Sequence, residues 1–123
     1  MTKPWIVHIV DDDAPVRDAL SFALLAVGLR VAAYVDAQDF LEHRGDERGV
    51  LLSDVRMPGM NGIELTRRLR QDGSSMPIIL MTGHATEEIE AEAIDAGADI
   101  VLGKPVVWST LIAEIERVSA GWW

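Results

Sequence analysis

Five short apolar runs alternate along the chain with five stretches in which apolar residues recur three or four apart. Trp5-Ile6-Val7-His8-Ile9-Val10 reads as a strand closed by Asp11-Asp12-Asp13. Ala14-Pro15 then opens a helix, because proline is tolerated in the first turn. Its apolar face is Val16, Ala19, Leu20, Ala23, Leu24 and Val27, and Gly28 stands where a C′ glycine would end it. Leu29 to Val35 is a second, more weakly patterned strand. Asp36 caps a short helix through Glu42, and His43 to Gly49 is a polar loop. The run from Val50 ends on Asp54, and Pro58, Gly59, Asn61 and Gly62 punctuate the chain immediately afterwards. A helix over Gly62 to Arg70 follows, broken by Asp72-Gly73-Ser74-Ser75. Pro77-Ile78-Ile79-Leu80-Met81 is a fourth strand, leading into Thr82-Gly83-His84. Thr86 to Ala96 is an acidic helix with a thin apolar face of Ile89, Ala93 and Ala96, stopped by Gly97. Asp99 to Leu102 is a fifth strand ending at Gly103-Lys104-Pro105, and Val107, Leu111, Ile112, Ile115 and Val118 mark a last helix.

Strict alternation at this spacing predicts an α/β fold: a doubly wound parallel sheet with helices on both faces and right-handed crossovers. The Asp54 strand is apolar throughout, as suits burial on both faces of such a sheet. A (βα)5 chain fits the flavodoxin-like strand order 2-1-3-4-5, with ligands outside the carboxyl ends of the strands. At 123 residues the chain fits one domain with a real core.

Charge narrows the function. A net charge of −9 argues against the domain holding nucleic acid through phosphates. Arg67, Arg68 and Arg70 are the only tight basic group and read as a solvated helix face. The absence of cysteine excludes disulfides and thiolate metal sites. The amino-terminal apolar run is too short for a signal segment or a membrane span, so a cytoplasmic protein without membrane contact is expected.

The strand ends collect the chemistry: Asp11 and Asp12 after strand one, Asp54 at strand three, Thr82 at strand four, Lys104 at strand five. In the 2-1-3-4-5 order, strands one, three and four are neighbours, so three carboxylates converge. Carboxylates this close raise one another's pKa unless a cation intervenes. Hard oxygen donors without His or Cys suit Mg²⁺ or Mn²⁺. A hydroxyl and an ammonium beside them suit a phosphoryl group. Each residue alone has a plainer use: an acidic run after a strand commonly caps a helix, and a lone Thr or Lys is commonly a loop residue. The combination at one edge of one sheet is what carries information.

Ile9-Val10-Asp11-Asp12-Asp13-Ala14-Pro15-Val16-Arg17, Asp54-Val55-Arg56-Met57-Pro58-Gly59-Met60-Asn61-Gly62, Thr82-Gly83-His84 and Lys104-Pro105 resemble the receiver domain of two-component response regulators, most closely the FixJ-like branch. The resemblance covers essentially the whole chain. It implies that Asp54 accepts a phosphoryl group from a histidine kinase or phosphotransfer protein, and that Asp11, Asp12, Asp54 and the backbone carbonyl of Arg56 hold Mg²⁺. It implies that Thr82 and Lys104 contact the phosphoryl group, that a cis peptide precedes Pro105, and that His84 and Arg56 tune its lifetime. Homodimerisation through the last two helices would also be in keeping. A receiver assists its own phosphorylation and dephosphorylation but is consumed in the transfer, so no enzyme is expected. FixJ-like proteins usually continue into a helix-turn-helix output domain, whereas residues 1–123 read as the receiver alone.

The pattern departs from the family at two positions. Val101 stands where receivers usually carry the Tyr or Phe whose rotamer reports phosphorylation, and Val106 follows Lys104-Pro105 where Phe is frequent. Three other readings compete with this one. Aspartyl-phosphate hydrolases of the haloacid-dehalogenase type need a second Asp two residues after the nucleophile, where this chain has Arg56. A flavin-binding flavodoxin needs a Ser/Thr/Gly-rich phosphate loop after strand one, where this chain has three acids. An interaction module of receiver fold that works without phosphorylation is kept open by Val101. The terminal Trp122-Trp123 pair is expected to rest on the domain.

Overall fold

A computed structural model describes residues 5–122. Strands and helices alternate throughout: β1 (Ile6–Val10), α1 (Ala14–Ala26), β2 (Arg30–Tyr34), α2 (Ala37–His43), β3 (Gly49–Asp54), α3 (Gly62–Gln71), β4 (Ile78–Thr82), α4 (Glu87–Ala96), β5 (Ile100–Gly103) and α5 (Trp108–Val118). All pairings are parallel, and the sheet order is β2-β1-β3-β4-β5, the flavodoxin-like order expected from sequence.

Burial explains which runs read clearly. Every residue of β3 and β4 is buried, whereas the edge strands β2 and β5 are only partly covered. Alternate side chains feed two cores. Val10, Leu51, Ile78 and Leu80 pack with Phe40, Leu65, Leu69 and Ala93 of α2, α3 and α4. Val7, Ile9, Leu52, Ile79 and Met81 pack with Leu20, Leu24, Leu111 and Ile115 of α1 and α5.

The helix starts follow from local chemistry. Asp13, Asp36 and Thr86 each accept the amide of the third residue on, and Asn61 and Glu64 form a reciprocal capping box. Asp13 is thus spent on capping, while Asp11 and Asp12 are left for the strand end.

Two expectations are corrected. The buried stripe of α1 is narrower than its apolar pattern: Leu20 and Leu24 are buried, but Ala19 and Val27 are exposed. Val27 is the C-cap residue and has already left the helical path. Arg70 does not belong to a solvated face either. Its guanidinium turns inward and hydrogen-bonds the backbone carbonyls of Ser74, Met76 and Gly97, at the amino end of the sheet.

Trp122 packs edge-on against Trp5 at 5.6 Å between ring centres, with the Arg48 guanidinium 5.2 Å from its own ring centre. Trp123 lies outside the described residues. Among the described residues, no helix is long and apolar enough to cross a membrane.

Candidate functional site

Strand register brings the candidate residues together. Val10 pairs with Ser53, so the next residues, Asp11 and Asp54, leave the sheet side by side. Asp54 pairs with Met81, and the Val55 amide donates to the Met81 carbonyl, which places Thr82 one step further along the neighbouring strand. Thr82 pairs with Gly103, and the Lys104 amide donates to the Thr82 carbonyl. Each strand therefore delivers its polar residue to the same edge.

Asp11 is fully buried. Its Oδ1 accepts the Asp13 amide at 2.9 Å, and its backbone carbonyl accepts Arg17 Nη1 at 2.7 Å. Asp54 is 9 % exposed, enough for one face of the carboxylate to meet solvent. Lys104 Nζ donates to Asp54 Oδ2 at 3.0 Å and to Asp11 Oδ2 at 3.4 Å, spanning the end of β4 to bridge two acids. Asp12 is exposed at the rim. One oxygen from each of Asp11, Asp12 and Asp54 falls within 4.8 Å of the others.

The electrostatics agree with a strained cluster. Burial pushes the Asp11 carboxyl above its ordinary value, and the Asp54 charge adds to this against the Asp13 amide and Lys104. Burial alone would lower Lys104, but its hydrogen bond to Asp54 and the charges of both acids outweigh that and hold its pKa up. Two of the three carboxylates share the Lys104 ammonium, and Asp12 is left without it. The donor set is all oxygen, close-set and acidic, which fits Mg²⁺ or Mn²⁺.

The remaining candidates are placed as follows. Thr82 is buried, and its hydroxyl oxygen accepts the His84 amide at 3.1 Å. His84 and Arg56 are exposed, and the Arg56 amide reaches Asp54 Oδ1 at 3.4 Å. Arg56 also lines an open groove of about 540 Å³ with Met57, Ile63, Ile89 and Glu92, between the β3–α3 loop and α4. Val101 is half-buried and pairs with Leu80 inside the sheet, away from the acids. The peptide between Lys104 and Pro105 is cis.

Two residues that matter to the geometry had no role read from sequence. Arg17, one turn into α1, clamps the backbone of Asp11. Gly62 lets the β3–α3 loop fold back on β3: its amide donates to the Val55 carbonyl at 2.8 Å, and a Cβ there would stand 2.3 Å from the Asp54 carbonyl oxygen. The Gly62 signal lay in the sequence as the last punctuation before α3; the Arg17 signal did not stand out among ordinary helix cations.

A doubly wound sheet of this order defines a flavodoxin-like domain, here with an acidic crevice at its carboxyl edge whose oxygens could hold a divalent cation. The chain belongs to the response regulator receiver domain family, whose pattern it matches over residues 7–116. It is 43 % identical over 117 residues to the transcriptional regulatory protein FixJ of Bradyrhizobium diazoefficiens, and 42 % identical over 116 residues to FixJ of Rhizobium meliloti. Each alignment covers 94 % of this chain but 57 % of the relative, so the chain spans a little over half the length of these curated relatives. The crystal structure of FixJ-N superposes with a TM-score of 0.87 at 42 % identity, covering 95 % of this chain and 94 % of that one.

Proposed function

We propose that this receiver is a cytoplasmic phosphorylatable switch with Asp54 as its acceptor. A carboxylate oxygen of Asp54 attacks phosphorus in line. The bond from phosphorus to a kinase histidine nitrogen breaks with its electron pair going to the ring, and an acyl phosphate forms. Asp11, Asp12, Asp54 and the Arg56 carbonyl would hold Mg²⁺ or Mn²⁺, which supplies charge neutralisation for phosphoryl oxygens. Lys104 already lies on Asp54 Oδ2 and can follow the added charge without a long excursion. The Thr82 hydroxyl, on the adjoining strand end, can then turn from the His84 amide to a phosphoryl oxygen. The donor is a histidine kinase or phosphotransfer protein. A second copy could meet the domain through the last two helices, where Ile94 and Trp108 are exposed.

The observation that carries this reading is the Lys104 ammonium bridging Asp54 and Asp11 beside a close-set oxygen triad. The test is incubation with Mg²⁺ and acetyl phosphate followed by intact mass. Wild type gains one phosphoryl group and Asp54→Asn gains none. A gain in Asp54→Asn at the wild-type level overturns the assignment. A receiver-fold interaction module would show no gain in either.

A further inference from the structure

The two ends of α4 are held very differently. At the amino end, Gly83 to Glu88 are all exposed, directly after Thr82. Half-buried Ile89 and two buried alanines, Ala93 and Ala96, form the face toward the core, so little apolar surface is lost if the helix shifts. Arg67 approaches Glu92 only at 3.9 Å with both side chains exposed, a geometry worth little.

The carboxyl end is clamped. Arg70, at the end of α3, donates to the Gly97 carbonyl from Nε at 3.1 Å and from Nη2 at 2.8 Å. Its Nη1 donates to the Ser74 carbonyl at 3.0 Å and the Met76 carbonyl at 2.8 Å. Nη2 also lies 3.5 Å from Asp99 Oδ2, which accepts the Ile78 amide at 2.7 Å. One guanidinium thus ties α3, the approach to β4, the end of α4 and the approach to β5. Gly97 is demanded twice over: its φ is +114°, and a Cβ there would stand 2.7 Å from Arg70 Cγ.

We infer that Arg70 and Gly97 form a fixed pivot about which α4 tilts, so that displacement is greatest beside Thr82 and vanishes at Gly97. The inference rests on Asp54 being the acceptor for its trigger, but the pivot itself is a property of the resting protein. Ten residues of helix make a lever of about 15 Å, so a tilt of about 10° moves the amino end by about 2.6 Å. Such a movement needs no aromatic rotamer change on β5, where Val101 is short and nearly fixed at χ1. Arg70 is a positioning residue here, remote from the reacting atoms.

Residue-resolved amide exchange tests this in two arms. Without ligand, wild-type amides of residues 90–92 are expected to exchange at least tenfold faster than those of 94–98. In Arg70→Lys, which keeps the charge but not the planar fork, that gradient should fall below threefold. With Mg²⁺ and beryllofluoride, exchange at 84–90 should change severalfold in wild type while 94–98 change less than twofold. In Arg70→Lys the change should spread through 94–98. Equal change at both ends in wild type, or an unaltered gradient in Arg70→Lys, overturns the pivot. Failure of the Asp54 reading looks different: beryllofluoride leaves every segment silent, including the amides of Arg56 and Lys104, while the ligand-free gradient still decides for or against the pivot.

Discussion

The two ends of the parallel sheet are built on opposite principles. At the amino end, charge is matched to fixed partners. Arg70 is spread over three backbone carbonyls, Asp99 accepts the Ile78 amide, Arg30 pairs with Glu47 and Arg48 lies over Trp122. At the carboxyl end, Asp11, Asp12 and Asp54 crowd together, and the Lys104 ammonium bridges only Asp11 and Asp54. The same chain that pairs its charges at one edge leaves a surplus of negative charge at the other. On the proposed function, a divalent cation and a phosphoryl transfer would use that surplus; without a cation it costs stability.

The largest expected effect comes from the buried histidine on the matched side. His8 is nearly inaccessible, with Nδ1 3.0 Å from the Tyr34 hydroxyl and its ring edge-on to Phe40. Its Nε2 has no protein hydrogen-bond partner. Burial, helped by the Arg44 charge and opposed by Glu47, lowers its pKa from 6.5 to about 4. The unfolded chain therefore takes up this proton below pH 6.5, and the folded chain does not until about pH 4. Stability contributed here is full above pH 6.5 and is lost as pH falls through that window, by up to about 3 kcal/mol. Asp11 has the opposite sign, since its raised pKa makes protonation favour the fold. Urea unfolding between pH 7 and 4.5 should show a clearly shallower acid loss in His8→Asn, whose amide can still meet Tyr34. Parallel curves for the two proteins would show that His8 does not titrate this way.

Next comes Arg70→Met, expected to cost about 2 kcal/mol because three carbonyls and Asp99 lose a charged donor that is three-quarters covered. A loss below about 0.5 kcal/mol by urea unfolding would mean that the amino end is no better matched than the other.

Much of this was readable in the chain and some was not, for physical reasons. The period of two or of three to four survives wherever one face is buried, so β3, β4 and the Leu65–Leu69 stripe of α3 stood out. Pocket residues were legible because they sit at strand ends, where an acid, a hydroxyl or a lysine breaks an apolar run. Side chains whose role is set by distant partners were not legible. Arg70 looks like any helix arginine until Gly97, twenty-seven residues on, is folded against it. His8 sits in an apolar strand and shows its character only beside Tyr34. The apolar pattern of α1 misled in the other direction: Ala19 and Val27 fall on its apolar stripe yet are exposed, because apolar character alone does not require burial.

At the unmatched end, Asp12→Ala should move stability the other way, raising it by about 0.5–1 kcal/mol without divalent cation. Asp12 is exposed, and within the triad it is the acid that Lys104 does not bridge. Wild type should melt higher as Mg²⁺ is added, and Asp12→Ala should lose most of that response. A metal response undiminished in the variant would place the ion elsewhere and remove the contrast between the two ends.

The smallest effect concerns residues that border the pocket without belonging to its charge balance. Arg56 and His84 each lie two residues beyond a pocket residue, and each is exposed. Their amides are already engaged, Arg56 with Asp54 Oδ1 and His84 with the Thr82 hydroxyl, and on the proposed reading their side chains border the approach to Asp54. Truncation therefore leaves the backbone geometry of the site intact and changes only what water meets on approach to an acyl phosphate. Arg56→Ala and His84→Ala should still accept phosphoryl from acetyl phosphate, with decay rates altered about threefold to tenfold, or roughly 0.6–1.4 kcal/mol in barrier. Decay followed by intact mass after removal of the donor checks this. Unchanged decay in both variants would mean that water reaches Asp54 by a path neither side chain borders. Loss of acceptance would mean that one of them takes part in the transfer itself, and the boundary between pocket and rim would have to be redrawn.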